Sequence, residues 1–456
     1  MIKKFPFLLE SLFVSLVLLF VFWLLNGQQL YGFTNDSGAY LLNSIELKVP
    51  GDRTIFYSLL IWFLRESMGI HSLFPIIFLP LWMVVYGLSL VASYLFTAAQ
   101  IKINRIALLI LLAVGIWFSG AMWIFAQIMP DVFTGLLFLS WYLFTIKVKT
   151  KHAPGAVFWG LIMVVSSVMH NAHLLVILGF FLLNIMFNKK HLINSYLIKY
   201  KIFYFLPFVL VLGSNLIYGN GFTLSKNAPV FLVAKMSENG ILKKYLDKTC
   251  EKENLLLCQF KDDLPVHAWD YIWPSEGIHM MVGGWYHTDS LYRKILLGII
   301  TDKYLCGELA IATFKATFNQ LLLFGVGDGL IEVADNSTIL NVLSDFYDYD
   351  KHSIESFSHI EVDFTELNYA LRIIVIVLIG LCLLGLGITK SFNYHLNWFL
   401  CFWGMFIAFI FLQAFSTGAI ANLLMRLNMR ALWLVVPFSL ILILTQIISF
   451  IQKRNC

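Results

Sequence analysis

The chain has 456 residues, 59% of them hydrophobic and 13% charged, with a mean hydropathy of +0.78. A soluble domain carries about twice that charged fraction, so the composition excludes a soluble protein and points to an all-α polytopic membrane protein. The net charge of +5 does not indicate nucleic acid, because the basic residues sit in short segments at the ends of apolar runs, the usual topogenic pattern.

The basic start Met1–Lys4 leads into an apolar run over 5–25. That run is too long for a signal-peptide core and lacks a small-residue cleavage site, so it reads as a retained first helix. Further runs at 73–98, 105–127, 132–147, 155–169, 172–187, 202–219, 367–388, 394–415 and 431–451 predict ten spans in total. Alternating them gathers Lys3, Lys4, Lys102, Arg105, Lys147, Lys149, Lys151, Lys189, Lys190, Lys199, Lys201, Lys390, Lys453 and Arg454 on one side, in segments without Asp or Glu. The positive-inside rule makes that side cytoplasmic, with both termini there.

The other side receives a first loop over 26–72, tight turns at 128–131 and 170–171, an insert over 220–366, and a short loop over 416–430. The expected organisation is a transmembrane core over 1–219, an extracytoplasmic and mainly helical insert domain over 220–366, and C-terminal transmembrane helices over 367–456. In the first loop, the aromatic-rich stretch Thr54–Phe63 suits an interfacial helix. Within the insert, apolar spacing predicts helices over 290–301 and 308–324, with turns at 262–265 and 325–329. Cys250 and Cys258 can pair as a local disulfide in an oxidising compartment, or remain free thiols.

Two acidic motifs fall at outward ends of apolar runs. Asp36, in Asn35-Asp36-Ser37, can act as a general base toward an attacking hydroxyl or amine, or can cap a helix. Asp131, in Met129-Pro130-Asp131, reads as a second carboxylate of the same site or as a helix-end charge. His170, Asn171 and His173 interrupt an apolar stretch at a tight turn, and can hydrogen-bond a sugar or phosphate. His and Asp are also metal-ligand types, but their spacing matches no standard motif; no cofactor is expected, and a divalent metal stays an open alternative. Arg426 and Arg430, four apart, share a helical face and suit phosphate binding or interfacial anchoring beside Trp433. Arg53 is a similar candidate that can instead pair with Asp52 or Glu46. There is no phosphate-cradling glycine loop and no nucleotide fingerprint, and the cytoplasmic segments are too short for a nucleotide-sugar domain.

Together these features resemble the GT-C superfamily of polytopic glycosyltransferases, which includes the protein mannosyltransferases and aminoarabinose transferases. The likeness covers mainly residues 1–220. It rests on Asn35-Asp36-Ser37-Gly38-Ala39-Tyr40 after the first span, Pro50-Gly51-Asp52-Arg53 with Phe56-Tyr57-Ser58-Leu59-Leu60, and Met129-Pro130-Asp131 before the fourth. The resemblance implies that Asp36 is the catalytic base and Asp131 a second acidic residue; Tyr40, Arg53, His170, Asn171, Arg426 and Arg430 are, from the residues themselves, the expected substrate-binding groups. The chain departs from the pattern in having Asn and Ser beside Asp36, and His170 where a Lys or Arg often stands. The expected activity is sugar transfer from a polyprenyl-phosphate-linked donor to a lipid, glycan or protein acceptor, at the outer face of a bacterial inner membrane. Two alternatives remain open. An O-antigen-type polymerase or ligase would centre on His267, His279, His287 or Arg293. A transporter would carry ionisable groups at mid-membrane depth.

Overall fold

The computed structural model describes residues 7–187, 199–347, 349–358, 362–389, 396–420 and 423–454. Lys3, Lys4, Lys189, Lys190, Lys390 and Cys456, and the start of the span expected at 394, lie outside the described residues. Within them the chain is helical throughout, with no strand and two isolated bridges, Gly32 to Gln127 and Thr34 to Leu330.

Among the described residues, six helical stretches are long and apolar enough to cross a membrane: Leu8–Leu25, Phe74–Ala98, Val132–Lys149, Thr365–Gly385, Leu400–Gly418 and Met425–Ile448. Four further apolar helices, Arg105–Phe118, Ala153–Val168, Asn171–Met186 and Ile202–Ile217, are shorter. At about 1.5 Å of rise per residue these four reach only about 21–24 Å, against about 27 Å or more for the six. The predicted runs therefore do form helices, but only some have full spanning length. The run expected over 105–127 breaks at Gly120. Gly120 takes φ +73°, the Ser119 hydroxyl accepts the Ala121 N–H at 3.3 Å, and a separate short helix, Ala121–Phe125, follows. The last run divides too: Met425–Leu432 turns at Trp433 and Leu434 into Val435–Arg454.

The Val132–Lys149 helix is the most enclosed, with Leu137, Phe138 and Leu139 fully buried. Small residues let its neighbours approach, as in membrane helix pairs generally. A Cβ on Gly135 would stand 2.6 Å from the Trp433 ring, and one on Gly115 would stand 2.9 Å from the Pro437 Cα. Trp433 is fully buried, which corrects its expected place as an interfacial anchor. Burial of Tyr57, Ser58 and Ile61 in the Phe56–Trp62 helix likewise sets that segment against protein on one face.

The first loop is pinned from both sides. The Gly32 N–H donates to the Ala126 carbonyl at 2.9 Å, the Ile128 N–H to the Gly32 carbonyl at 3.0 Å, and the Ile331 N–H to the Phe33 carbonyl at 2.9 Å. Arg65, 3% exposed, donates to the Ser44 carbonyl at 3.2 Å and lies over the Phe346 ring.

The segment 220–366 does not form one core. Residues from Val230 to Leu305 build a separate hydrophobic cluster around Val233, Leu242, Leu257, Tyr271 and Ile295. Val326, Ile339, Val342, Leu343 and Ile354 join the main transmembrane core instead. Cys250 and Cys258 form a disulfide. The predicted helices appear as Asp289–Thr301 and Lys303–Leu322.

Because the atoms facing Gly115 are backbone and ring atoms of Pro437 that cannot swing aside, Gly115→Val is expected to destabilise the protein by on the order of 1–3 kcal/mol. Thermal unfolding in detergent reads this as a lowered midpoint, and an unchanged midpoint contradicts the close approach.

Candidate active site

The site begins with the helix Asn35–Glu46. Thr34 occupies its N-cap, with a reciprocal capping box to Ser37, and the Thr34 N–H donates to the Ser37 hydroxyl at 2.9 Å. Capping is thus complete without Asp36, whose side chain is released for other partners. The same holds for Asp131: it stands at the start of Val132–Lys149 but makes no side-chain cap bond. Side-chain capping by either carboxylate is therefore corrected, while Asp131 does stand at a helix N-terminus, as the helix-end-charge reading expects.

Both carboxylates meet arginines. Arg53 Nη2 reaches Asp36 Oδ1 at 3.2 Å, and Arg426 Nη2 reaches Asp36 Oδ2 at 3.4 Å. Arg426 Nε lies 3.6 Å from Asp131 Oδ2, and Arg430 Nη1 lies 3.3 Å from Asp131 Oδ1. Arg53 also binds Asp52 Oδ2 at 2.7 Å, while Glu46 pairs with Lys48 instead. Three arginines and three aspartates thus form one continuous chain of charge, Asp52–Arg53–Asp36–Arg426–Asp131–Arg430. Arg426 and Arg430 lie on the short helix Met425–Leu432, both buried, so neither is an exposed interfacial anchor.

Burial separates the roles. The Asp36 side chain keeps 40% of its surface exposed, whereas those of Asp131 and Arg430 keep 1% each. Asp131 is thus shut in behind the guanidiniums of Arg426 and Arg430. Asp36 can touch a ligand. Each of its oxygens has two lone pairs, so acceptor capacity remains after the two arginine contacts.

The loop Pro50–Arg53 is clamped in place. The Gly51 carbonyl accepts the Asn227 N–H at 2.9 Å and the Ser225 hydroxyl at 3.1 Å, and Asn171 Nδ2 donates to the Asp52 carbonyl at 2.9 Å. The Arg53 guanidinium lies 5.1 Å from the centroid of the Tyr40 ring, a cation–π contact. Its Nη1 has no hydrogen-bond partner among the described residues. Burial pushes the Tyr40 phenol above its ordinary pKa, with Arg53 opposing, so it stays a neutral O–H donor. Burial, and then the charge of Arg430, hold His170 well below the ordinary imidazole value. His170 Nδ1 accepts the Ala172 N–H at 3.1 Å, which leaves the ring proton on Nε2. His173 is buried and bonded to Thr134 at 2.8 Å and the Ser166 carbonyl at 2.7 Å, so it holds helices together.

All eight predicted residues (Asp36, Tyr40, Arg53, Asp131, His170, Asn171, Arg426 and Arg430) line one cavity of about 440 Å³. Asp52, Phe231, Lys235, Trp269 and Trp273 line it as well, and the sequence reading missed them as site residues. Four of these five belong to the insert, whose fold the sequence did not disclose; Lys235 carried one faint signal, a lysine between the apolar Val233-Ala234 and Met236. Among the described residues, no group of three or more His, Cys, Asp or Glu is placed to hold a metal ion.

A larger groove of about 1000 Å³ lies beside the Lys303–Leu322 helix. Its Lys235 and Lys244 are already paired with Glu238 and Glu308. Charge convergence, not size, therefore marks the smaller cavity as the candidate site. None of the residues of the polymerase alternative, His267, His279, His287 and Arg293, lines this cavity: His267 lines the groove, His279 is fully buried beside Trp285 and Tyr292, and Arg293 binds Asp289 on the surface. No protein-family model matches the sequence, and neither a curated protein nor a solved structure matches the chain.

Two predictions follow from burial. Asp131→Ala strands the Arg430 charge and is expected to cost on the order of 3–5 kcal/mol, while Asp36→Asn, half in solvent, costs less than about 1 kcal/mol. Thermal unfolding of both variants checks this, and equal losses contradict the division. His279 is pushed down to about 4 by burial, so the unfolded insert binds a proton that the folded one refuses. Stability is fully present above the ordinary value of 6.5 and falls as pH drops from there to about 4, by up to about tenfold in the folding constant per pH unit. Hydrogen exchange in the Asp289–Thr301 helix, corrected for intrinsic rates, should show this loss, and His279→Phe should flatten it. A wild-type profile flat over that range contradicts it.

Proposed function

We propose that the chain is a membrane glycosyltransferase of GT-C type, moving a sugar from a polyprenyl-phosphate donor to a lipid, glycan or protein acceptor. One observation carries the reading: Asp36, a partly exposed carboxylate, is held between Arg53 and Arg426 in a cavity beside apolar helices. A base next to fixed cations is what this displacement requires. The acceptor O–H or N–H gives its proton to Asp36 as its heteroatom bonds to the anomeric carbon. The bond from that carbon to the phosphate oxygen breaks, and the electron pair leaves with the polyprenyl phosphate, inverting the centre. Arg53 and Arg426 stabilise the charge that grows on the leaving oxygen, and Arg53 Nη1 has a donor to spare. Asp131 and Arg430 hold Arg426 in place. Tyr40, His170 and Asn171 orient sugar hydroxyls.

The ten apolar helices, four of them short, are read as ten crossings, with both termini cytoplasmic and the cavity on the opposite face of a bacterial inner membrane. The Cys250–Cys258 disulfide supports that side, since disulfides persist in oxidising compartments. The polymerase reading has less support because its histidines and arginine stand outside the cavity where the charges converge. A transporter would have its ionisable groups at mid-depth, whereas the charge chain here gathers at helix ends.

The test uses proteoliposomes containing polyprenyl-phosphate hexose, pentose or aminopentose, with envelope lipid and glycan extract as acceptor. Wild-type protein should release free polyprenyl phosphate from one donor, and Asp36→Asn should do so at least about 100-fold more slowly. Equal rates remove Asp36 as the base, and no release from any donor removes the transferase reading.

A further inference from the structure

The Lys303–Leu322 helix has two faces that do not match a soluble domain. Ile311, Phe314, Phe318 and Leu322 are 71%, 66%, 55% and 66% exposed. They recur at intervals of three or four, so they form one continuous stripe. A stripe of this kind on a water-facing domain would be a large exposed apolar patch, which soluble surfaces avoid.

Its opposite face is packed against a helix of spanning length. Ala316 and Gln320 meet Leu400–Gly418 so closely that a Cβ on Gly418 would stand 2.8 Å from the Ala316 carbonyl oxygen. Gln320 Nε2 donates to the Leu424 carbonyl at 2.8 Å, and Asn428 Nδ2 donates to the carbonyls of Leu321 and Leu323, each at 3.1 Å. The helix is therefore fixed to the transmembrane core at its C-terminal end. Ile407, Phe411 and Phe415 on the neighbouring Leu400–Gly418 helix are exposed as well, so the stripe belongs to a helix packed on one with its own lipid-facing apolar surface. Between stripe and packed face run Glu308, Lys315 and Asn319, which line the large groove. Lys315 can lay its methylenes along the apolar surface while its ammonium stays wet, as lysines do at membrane interfaces.

We infer that the Lys303–Leu322 helix is seated in the bilayer on the face of the membrane nearest Asp36, with Ile311, Phe314, Phe318 and Leu322 against lipid acyl chains. The segment beyond Lys303 is then part of the membrane body, while the cluster around Leu242 and Tyr271 stands outside it. The groove on the polar flank opens beside lipid. It shares Lys235, Ala268, Trp269 and Leu424 with the Asp36 cavity, so a lipid reaching the groove meets the charged site without crossing bulk water.

A photoactivatable diazirine phosphatidylcholine in vesicles holding the intact protein tests this, with adducts mapped by peptide mass spectrometry. Adducts should fall on 311–322 at yields within about threefold of those on Leu8–Leu25, a spanning helix with a lipid-accessible face. Adducts on that helix with none on 311–322 overturn the inference. A second measurement does not depend on reagent reach. In a background with Cys306, Cys382, Cys401 and Cys456 replaced by serine, spin labels at Phe314→Cys and Phe318→Cys should be relaxed more by oxygen than by a water-soluble nickel chelate. A label at Ser290→Cys, on the exposed part of the insert, should show the reverse. Nickel-dominated relaxation at 314 and 318, or dipolar broadening there that reports a second copy against the stripe, overturns the proposal. Neither readout involves sugar transfer, so its failure and that of the enzymatic reading are separate.

Discussion

The buried pair between Asp131 and Arg430 is the interaction on which the arrangement of the site depends. It joins the start of Val132–Lys149, the most enclosed helix, to Met425–Leu432, 299 positions later. A buried charge is costly unless its partner is held in good geometry. The pair therefore constrains where the C-terminal helices dock. Once they dock, Arg426 is carried to a point between two carboxylates, touching Asp131 with one nitrogen and Asp36 with another. The exposed carboxylate thus inherits its geometry from the concealed one.

The first loop reaches the same point from the other direction. Backbone bonds from Gly32 to the 126–128 segment, and from Phe33 to Ile331, fix the entrance of the Asn35–Glu46 helix. The Thr34–Ser37 capping box then frees Asp36 from helix duty. Asn171, Ser225 and Asn227 hold the Pro50–Arg53 loop through its backbone, which sets Arg53 on the far side of Asp36. Loop, transmembrane core and insert each contribute one wall, so the cavity exists only when all three have assembled.

How much of this was legible in the sequence differs by the range of the interaction. Helix positions were legible because apolar composition is local, and Asp36 stood out because an acid just beyond an apolar run has few uses. The helix break at Gly120 was not, since Gly120 also abuts Leu371, a neighbour that only the fold supplies. The difference between an open and a concealed carboxylate was not legible either: Asp36 and Asp131 look alike in their motifs, and only burial against Arg430 separates them. The insert was the least legible part. Its Lys303–Leu322 helix carries Glu308 and Lys315, which hid its apolar stripe from an average over the whole segment, and its later residues pack into the transmembrane core at long range.

The most direct measurement is a structure of the protein with a short-chain polyprenyl phosphate bound in a lipid nanodisc. The expected result places the phosphate within hydrogen-bond distance of Arg53 and Arg426, beside Asp36, with the prenyl chain leaving toward the lipid. A phosphate bound elsewhere, with Asp36 still clasped by its two arginines and no ligand in the cavity, contradicts it.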